Sequence, residues 1–438
     1  MFPKGRQSAR LCSASLLGIG LATFPICNAE LNDRLGPALD HPAILYSRSR
    51  PVSDPVGLLN MKLRQGSAQL RFEGPQGYLR SVLQALRVPV ESQVAVFSKN
   101  SQQAILIGPT NPRTIFFNDS VSVAWMYGGF IELASHDPQQ GVIFYTLAQE
   151  QVDKPSFQRR DECLRCHVSD ASLGVPGMMV RSMFTAPDGR PRLIMGAFVT
   201  DHRSPLENRW GGYYVTGAAS DVRHMGNAFA TDEDQLAITP KTLRVATLEG
   251  RFDTSHYLSP YSDVGALMVF DHQMYMMNLI TRVGWEVRAA KYDAEHGRRV
   301  DLDQILRETA QEFVDYLCLI DEAPFTAPLQ AAPSERSSGF AKVFAAQGPF
   351  DRNGRSLREL DLRARLFRYP CSYMIYSEAF DTLPAEAKAA IYERLGRVLS
   401  GSLPENRYQR LSLADRRAII EILRDTKPDL RGYIQPIN

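Results

Sequence analysis

The stretch Cys163-Leu164-Arg165-Cys166-His167 is the pattern around which the rest of the chain is best understood. Two thiols three residues apart, followed directly by an imidazole, form the C-x-x-C-H pattern by which c-type haem is attached to protein. In that chemistry both cysteines become thioethers and the histidine becomes an axial ligand of the iron. The pattern occurs once, so it predicts one covalent haem c, with Cys163 and Cys166 as the attachment residues and His167 as the proximal ligand.

Three other interpretations of these five residues are half of a zinc site, a redox C-x-x-C and a structural disulfide. A zinc site needs four ligands, usually from two such pairs, and the sequence has no second C-x-x-C. A thioredoxin-like motif follows a strand and opens a helix, and residues 155–162 do not have the pattern of a strand. The haem interpretation is therefore favoured.

Residues 1–29 have the pattern of an export signal. Lys4, Arg6 and Arg10 precede an apolar run over residues 11–26, and small residues follow it before a cleavage after residue 29. The run is short for a membrane span, and retention as an N-terminal anchor is the minor alternative. Because c-type haem is attached outside the bacterial cytoplasm, we expect an exported, soluble protein of the periplasm without stable membrane insertion after signal cleavage.

Composition limits the classes of partner. The net charge is +2, and removal of residues 1–29, which hold three of the 50 basic residues and no acidic one, would leave −1. This balance predicts no binding to nucleic acid or to an anionic membrane surface. Of the four cysteines that would survive cleavage, Cys318 and Cys371 lie outside the motif. They could pair as a disulfide or remain buried thiols, and the sequence leaves both open.

The fold class is predicted as α+β, from a change of hydrophobic period along the chain. Residues 93–147 contain short β-branched and aromatic runs separated by turn formers, which predict an antiparallel meander. Two more strands are expected at residues 178–184 and 193–199. The meander runs are residues 94–97, 104–107, 114–117, 121–125, 130–135 and 142–147.

From about residue 262 the period becomes helical. Residues 264–283 and 302–317 predict helices, Pro384 opens another that Asp381 or Thr382 would cap, and Ser412 with Asp415 forms a capping box. The sequence thus predicts a signal peptide over residues 1–29, a β-rich haem-binding region over residues 30–262 and a mainly helical region over residues 263–438.

The second axial position of the iron decides between functions, and two histidines are the main candidates. His224 lies 57 residues after His167, beside Met225 and a flexible Gly-Asn pair, and His272 lies on a Met-rich helix. We rank His224 first and His272 second, with His202 and Met225 in reserve. Most single histidines are surface or hydrogen-bonded residues, and the methionines are more typical of core packing than of iron ligation.

Charged and aromatic residues near the motif form a further set of candidates. Arginines could neutralise the haem propionates by bidentate pairing, although ordinary salt bridging is an equal alternative for each. Aromatic side chains could pack the haem edge, although as strand residues they are more typical of core. The arginines are Arg181, Arg203, Arg209 and Arg223, and the aromatic residues are Trp210, Tyr213 and Tyr214.

Several stretches together resemble a family of exported single-haem cytochrome c proteins of bacteria, and the likeness spans most of the mature chain. The resemblance implies covalent haem at Cys163 and Cys166 with His167 proximal, and it implies no particular reaction. Besides the motif it rests on residues 141–147 (GVIFYTL), 209–217 (RWGGYYVTG), 223–227 (RHMGN) and 368–373 (RYPCSY).

The sequence therefore predicts a periplasmic mono-haem c-type cytochrome that transfers electrons to or from a periplasmic redox partner protein. The alternative is a haem-dependent oxidoreductase with an open distal site that acts on a small molecule, so whether the chain is an enzyme stays open. About 400 residues is more than a simple carrier needs, which favours an additional docking surface or substrate pocket.

Overall fold

The computed structural model describes residues 37–46, 53–219, 221–230, 236–238, 244–329 and 338–437, so the predicted export signal lies outside the described residues. The strands are β1 (Val94–Val96), β2 (Arg113–Phe117), β3 (Val121–Trp125), β4 (Ile131–Asp137), β5 (Gly141–Leu147), β6 (Gln158–Arg159), β7 (Val180–Met183), β8 (Ala197–Thr200) and β9 (Tyr213–Tyr214). The helices are α1 (Pro55–Arg64), α2 (Leu79–Ala85), α3 (Leu164–His167), α4 (Val264–Glu295), α5 (Leu302–Leu317), α6 (Phe340–Ala345), α7 (Glu378–Asp381), α8 (Ala385–Ser400) and α9 (Leu413–Thr426).

An antiparallel sheet occupies the N-terminal half, in the spatial order β6-β5-β4-β3-β2-β1-β9. Strands β2 to β5 are sequential neighbours, as expected for a meander. The turn between β2 and β3 forms because the side chain of Asn118 accepts hydrogen bonds from the backbone N–H groups of Ser120 and Val121. Strands β7 and β8 form a separate two-stranded sheet.

The two faces of the large sheet pack against different layers, because successive side chains of a strand point to opposite sides. Phe116 and Val123 belong to a hydrophobic cluster with α1 and α2. Ile115 and Ala124, one position away, belong to the cluster that contains α4 and the C-terminal helices. The sheet is therefore the middle layer between two small helices and a larger helical region.

Helix α4 is the central element of the helical region. Asp263 caps it by accepting hydrogen bonds from the N–H groups of Gly265 and Ala266. Buried residues occur all around its circumference, and it extends twelve residues past the predicted end at Val283. A helix that is buried on every side must be surrounded by other elements, and sheet, loops and the helices α5 to α8 surround α4. The α+β prediction is confirmed.

Three predictions about strands are wrong. Residues 155–162, predicted to lack a strand, contain β6, and residues 193–195 of the strand predicted at 193–199 form a 3-10 turn, so that β8 begins at Ala197. The third prediction concerns residues 104–107. Residues 104–107 form turns, and Ile105 is 90% exposed. The side-chain amide of Gln103 bonds to the backbone N–H and C=O of Phe130, which fixes this segment as a loop beside the start of β4. An apolar run at this position therefore does not enter the sheet.

Two predictions about helix ends have different outcomes. The capping box at Ser412 and Asp415 is confirmed. The predicted cap at Asp381 or Thr382 is wrong, because Pro384 itself is the N-cap of α8 and makes no side-chain cap. None of the helices in the described part of the chain combines the length and the apolar character that a membrane crossing requires.

Candidate haem site

The C-x-x-C-H motif folds as a short helical segment. Cys163 ends a 3-10 turn that begins at Asp161, and α3 continues directly from Leu164 to His167. On a helix, residues three and four apart share a side, so Cys163 faces the same way as Cys166 and His167. Cys163 is half-buried and Cys166 is exposed. The local fold thus presents the two predicted attachment cysteines and the predicted proximal histidine to one region of space.

That region is a cavity of about 440 Å³, lined by Cys163, Cys166 and His167. Its other walls come from strands β2 to β5, from residues 98–102, from the loop and strand around residues 178–181, and from α4. Its volume lies within the usual range of ligand and cofactor sites. The apolar lining residues are Ile115, Ala124, Leu133, Ala134, Phe144, Met178, Met179 and Phe270, together with Val96.

His167 is held in one orientation. Its Nδ1 atom lies 2.8 Å from the carbonyl oxygen of Gly177, and its ring packs on Phe144 with the ring centroids 4.6 Å apart. A carbonyl can only accept, so Nδ1 carries the proton and Nε2 has the lone pair. Burial is the main cause that lowers the pKa of His167, which favours the neutral imidazole. This is the state and tautomer in which a histidine ligates iron through Nε2.

The carbonyl that holds His167 is itself held by α4. Asn278 accepts a hydrogen bond from the N–H of Met178 at 3.2 Å and donates one to the carbonyl oxygen of Met178 at 2.7 Å. Gly177 lies so close that a Cβ atom there would overlap the Asn278 amide. In addition, the backbone N–H of Gly177 donates a hydrogen bond to the backbone carbonyl of His167. A buried amide on α4 therefore fixes the loop that orients the imidazole.

Charged groups line part of the cavity. Lys99, Arg113, Arg181, Glu132 and the half-exposed Glu162 are among its lining residues. Arg113 and Glu132 form an ion pair at 3.2 Å, and the Nε of Arg113 is buried without a hydrogen-bond partner. The cavity wall therefore carries three cationic side chains, and one of them is paired with a carboxylate.

The structure does not bring His224 into the cavity. His224 is fully buried beside Trp210, with the ring centroids 5.4 Å apart, and its Nδ1 accepts a hydrogen bond from the N–H of Gly226. Its Nε2 is buried without a partner. Burial lowers the pKa of His224 to about 4, so the side chain is neutral. The reserve candidate Met225 does not line the cavity either.

His272 is also outside the cavity and has partners on both ring nitrogens. Its Nδ1 lies 2.8 Å from Nδ1 of His202, and its Nε2 lies 2.7 Å from the hydroxyl of Ser372. Tyr316 stacks on the ring. His272 therefore joins the last reserve candidate, His202, in a buried polar chain within the helical region, and neither lines the cavity.

The arginine and aromatic candidates divide in the same way. Arg181 and Tyr213 line the cavity. Arg209 is instead buried with Asp271, at an N–O distance of 3.5 Å, and Trp210 donates a hydrogen bond to the same carboxylate. The others, which are Arg203, Arg223 and Tyr214, are not cavity residues.

Sequence reasoning missed Gly177, Asn278, Lys99, Arg113 and Glu132. Spacing could not identify them, because Gly177 and Asn278 meet across 101 positions and Arg113 precedes the motif by fifty. The described residues contain no group of three or more His, Cys, Asp or Glu placed to hold a metal ion by themselves.

Comparisons with protein-family models, with curated proteins and with solved structures found no match to this chain.

Proposed function

We propose that the chain is a mono-haem c-type cytochrome of the periplasm that transfers electrons to or from a periplasmic redox partner protein. One observation carries the proposal: Cys163, Cys166 and His167 line a single cavity, and His167 is held there with Nε2 as its free lone pair. A C-x-x-C-H motif beside such a cavity has the donor set for thioether attachment and axial ligation.

The residues around the motif fit a haem. A porphyrin needs an apolar slot, which Phe144, Met178 and Phe270 provide, and its propionates need cations, which Lys99, Arg113 and Arg181 provide. Bound there, the haem would supply one-electron redox chemistry. The chain itself would supply the attachment thiols, the oriented imidazole and a cavity wall that partly excludes water. Together these would set the reduction potential.

A second candidate function is favoured by the placement of the predicted distal ligands. Neither His224 nor His272 lines the cavity, and His272 is engaged on both nitrogens. Ligation by either would require a rearrangement of buried groups. An oxidoreductase whose iron keeps an open or exchangeable distal position is therefore the alternative. Met178 and Met179 line the cavity, and the thioether sulfur of a methionine is a known axial ligand of haem iron.

Two measurements test the attachment. The purified exported protein should carry covalent haem by mass, and Cys163→Ser should lose one thioether bond and most of the haem yield. Cys318→Ser/Cys371→Ser, which removes both buried cysteines outside the cavity together, is the control and should keep the haem. If the wild-type chain matures in a haem-attaching host without covalent haem, the proposal fails.

Spectra of the ferric protein separate the two functions. A low-spin electron paramagnetic resonance signal that cyanide does not change would support the carrier, and high-spin iron that binds cyanide would support the enzyme. With low-spin iron, Met178→Leu and Met179→Leu test sulfur ligation. His224→Ala and His272→Ala test the two histidines. Conversion to high spin identifies the ligand.

A further inference from the structure

Two buried cysteines far from the motif lie against each other. Cys318 is the C-cap residue of α5, and Cys371 lies in the segment that leads to Tyr373. Both belong to one hydrophobic cluster and are at most 1% exposed. They are separated by 52 intervening residues, so their meeting is a product of tertiary folding.

Backbone geometry fixes this meeting. The N–H of Ser372 donates a hydrogen bond of 2.7 Å to the carbonyl of Leu317. Cys371 precedes Ser372 and Cys318 follows Leu317, so this hydrogen bond brings the two cysteines close together. The Cys371 thiol is also the first cause of the raised pKa of the Cys318 thiol, as expected for neighbouring side chains. His272 fixes the same segment by its 2.7 Å contact to the Ser372 hydroxyl. Two hydrogen bonds of Ser372 therefore hold the segment of Cys371 beside the end of α5, where Cys318 lies.

We propose that Cys318 and Cys371 form a structural disulfide in the exported protein. The inference rests on the proposed function only for the oxidising compartment in which the chain folds. Each thiol gives up one hydrogen as the Sγ–Sγ bond forms. The two electrons and two protons pass to a protein disulfide, which is reduced to two thiols.

Burial determines when the bond can form. Contact with Cys371, together with burial, raises the pKa of the Cys318 thiol well above its usual range, so little thiolate exists in the folded protein. Exchange with an external disulfide also requires access, which the folded core denies to both sulfurs. The bond therefore forms during folding and resists reductant afterwards. It would fasten the segment carrying Ser372 to the end of α5.

Peptide mapping of the full-length exported protein tests the bond. After denaturation in N-ethylmaleimide without reductant, trypsin should release peptides 308–336 and 369–388 as one linked species, which reductant separates. The same digest reports haem attachment independently, because Cys163 and Cys166 lie in peptides 161–165 and 166–181. Failure of the haem proposal and failure of the disulfide are thus read on different peptides.

A refolding experiment tests the disulfide independently of export. The chain is denatured, reduced and refolded in a glutathione redox buffer, and linkage is expected again. The wild-type Tm should fall by roughly 5 °C when the protein is reduced before folding, whereas the Tm of the Cys318→Ser/Cys371→Ser variant should not respond to reductant. Maleimide on both cysteines after oxidative refolding, or a pairing of either cysteine with a different one, overturns the proposal.

Discussion

The side-chain amide of Asn278 on α4 holds the loop that orients His167. Asn278→Leu removes this amide with little change in the shape of the side chain. The substitution keeps the branched outline of the side chain but removes the two hydrogen bonds to Met178. A buried backbone group left without a partner costs about 1–3 kcal/mol. Two such groups in a partly buried loop predict that the free energy of unfolding falls by about 2–4 kcal/mol.

Asn278→Leu should also change the reduction potential of the haem iron. Once residues 177 and 178 are no longer fixed, the Gly177 carbonyl is a weaker acceptor for the Nδ1 proton of His167. A weaker hydrogen bond at Nδ1 makes the imidazole a poorer donor to iron and stabilises the ferric state less. The reduction potential of the holoprotein should therefore rise.

Gln273→Met is the matched control for this experiment. Gln273 lies on the same helix and is equally buried. Its side chain bonds to the carbonyl of Asn118, the hydroxyl of Tyr373 and the sulfur of Met277, so its loss also removes buried hydrogen bonds. None of these three hydrogen bonds reaches the loop that holds His167. Urea unfolding and redox titration of all variants are the measurements. Equal shifts of potential in Gln273→Met and Asn278→Leu would refute the reasoning, since the effect would then follow from lost stability alone.

Two further predictions concern the sheet and its contacts. Burial lowers the pKa of His136 to about 4, below the value of about 6.5 expected when unfolded, so the unfolded state takes up the proton first as pH falls. Between pH 6.5 and pH 4 the free energy of unfolding of the wild type should fall by about 3 kcal/mol more than that of His136→Gln. Urea unfolding at both pH values measures this, and an equal fall in the two proteins would contradict it. A Cβ at Gly211 would overlap the backbone of Met183, so Gly211→Ala should cost about 3 kcal/mol, measured by the same unfolding assay. Gly108→Ala, where the nearest atom is 3.9 Å away, should change stability by less than about 0.5 kcal/mol, and similar losses in both variants would refute the steric argument.

Local patterns predicted much of the fold because local chemistry determines those elements. The β-branched and aromatic runs at residues 114–117, 121–125 and 142–147 became strands, and Ser412 with Asp415 became a capping box. Residues 104–107 have a similar apolar composition but lie in a loop held by Gln103 and Phe130. That bond joins positions 27 apart, so no local pattern reveals it.

The motif residues were predictable, whereas the far side of the cavity was not. The hydrophobic period of residues 264–283 identifies a helix. It does not show which side of the helix contacts a given neighbour, because every side is buried. Phe270 lines the cavity, and His272 is two positions on, which is about 200° around the helix. Both therefore cannot face the same cavity. His272 turns instead to His202 and Ser372.

The predicted boundary at residue 262 separates two compositions, but the candidate site uses both sides of it. The cysteines, His167 and the sheet come from the N-terminal part, and α4 contributes Phe270 to the cavity wall and Asn278 to the loop behind the imidazole. Helix α3 has only four residues, and the carbonyl that orients His167 lies outside it, in the loop that Asn278 holds. The helical region is therefore part of the site and not a separate attachment to it. Helix α4 in turn keeps its position by being buried among α5 to α8.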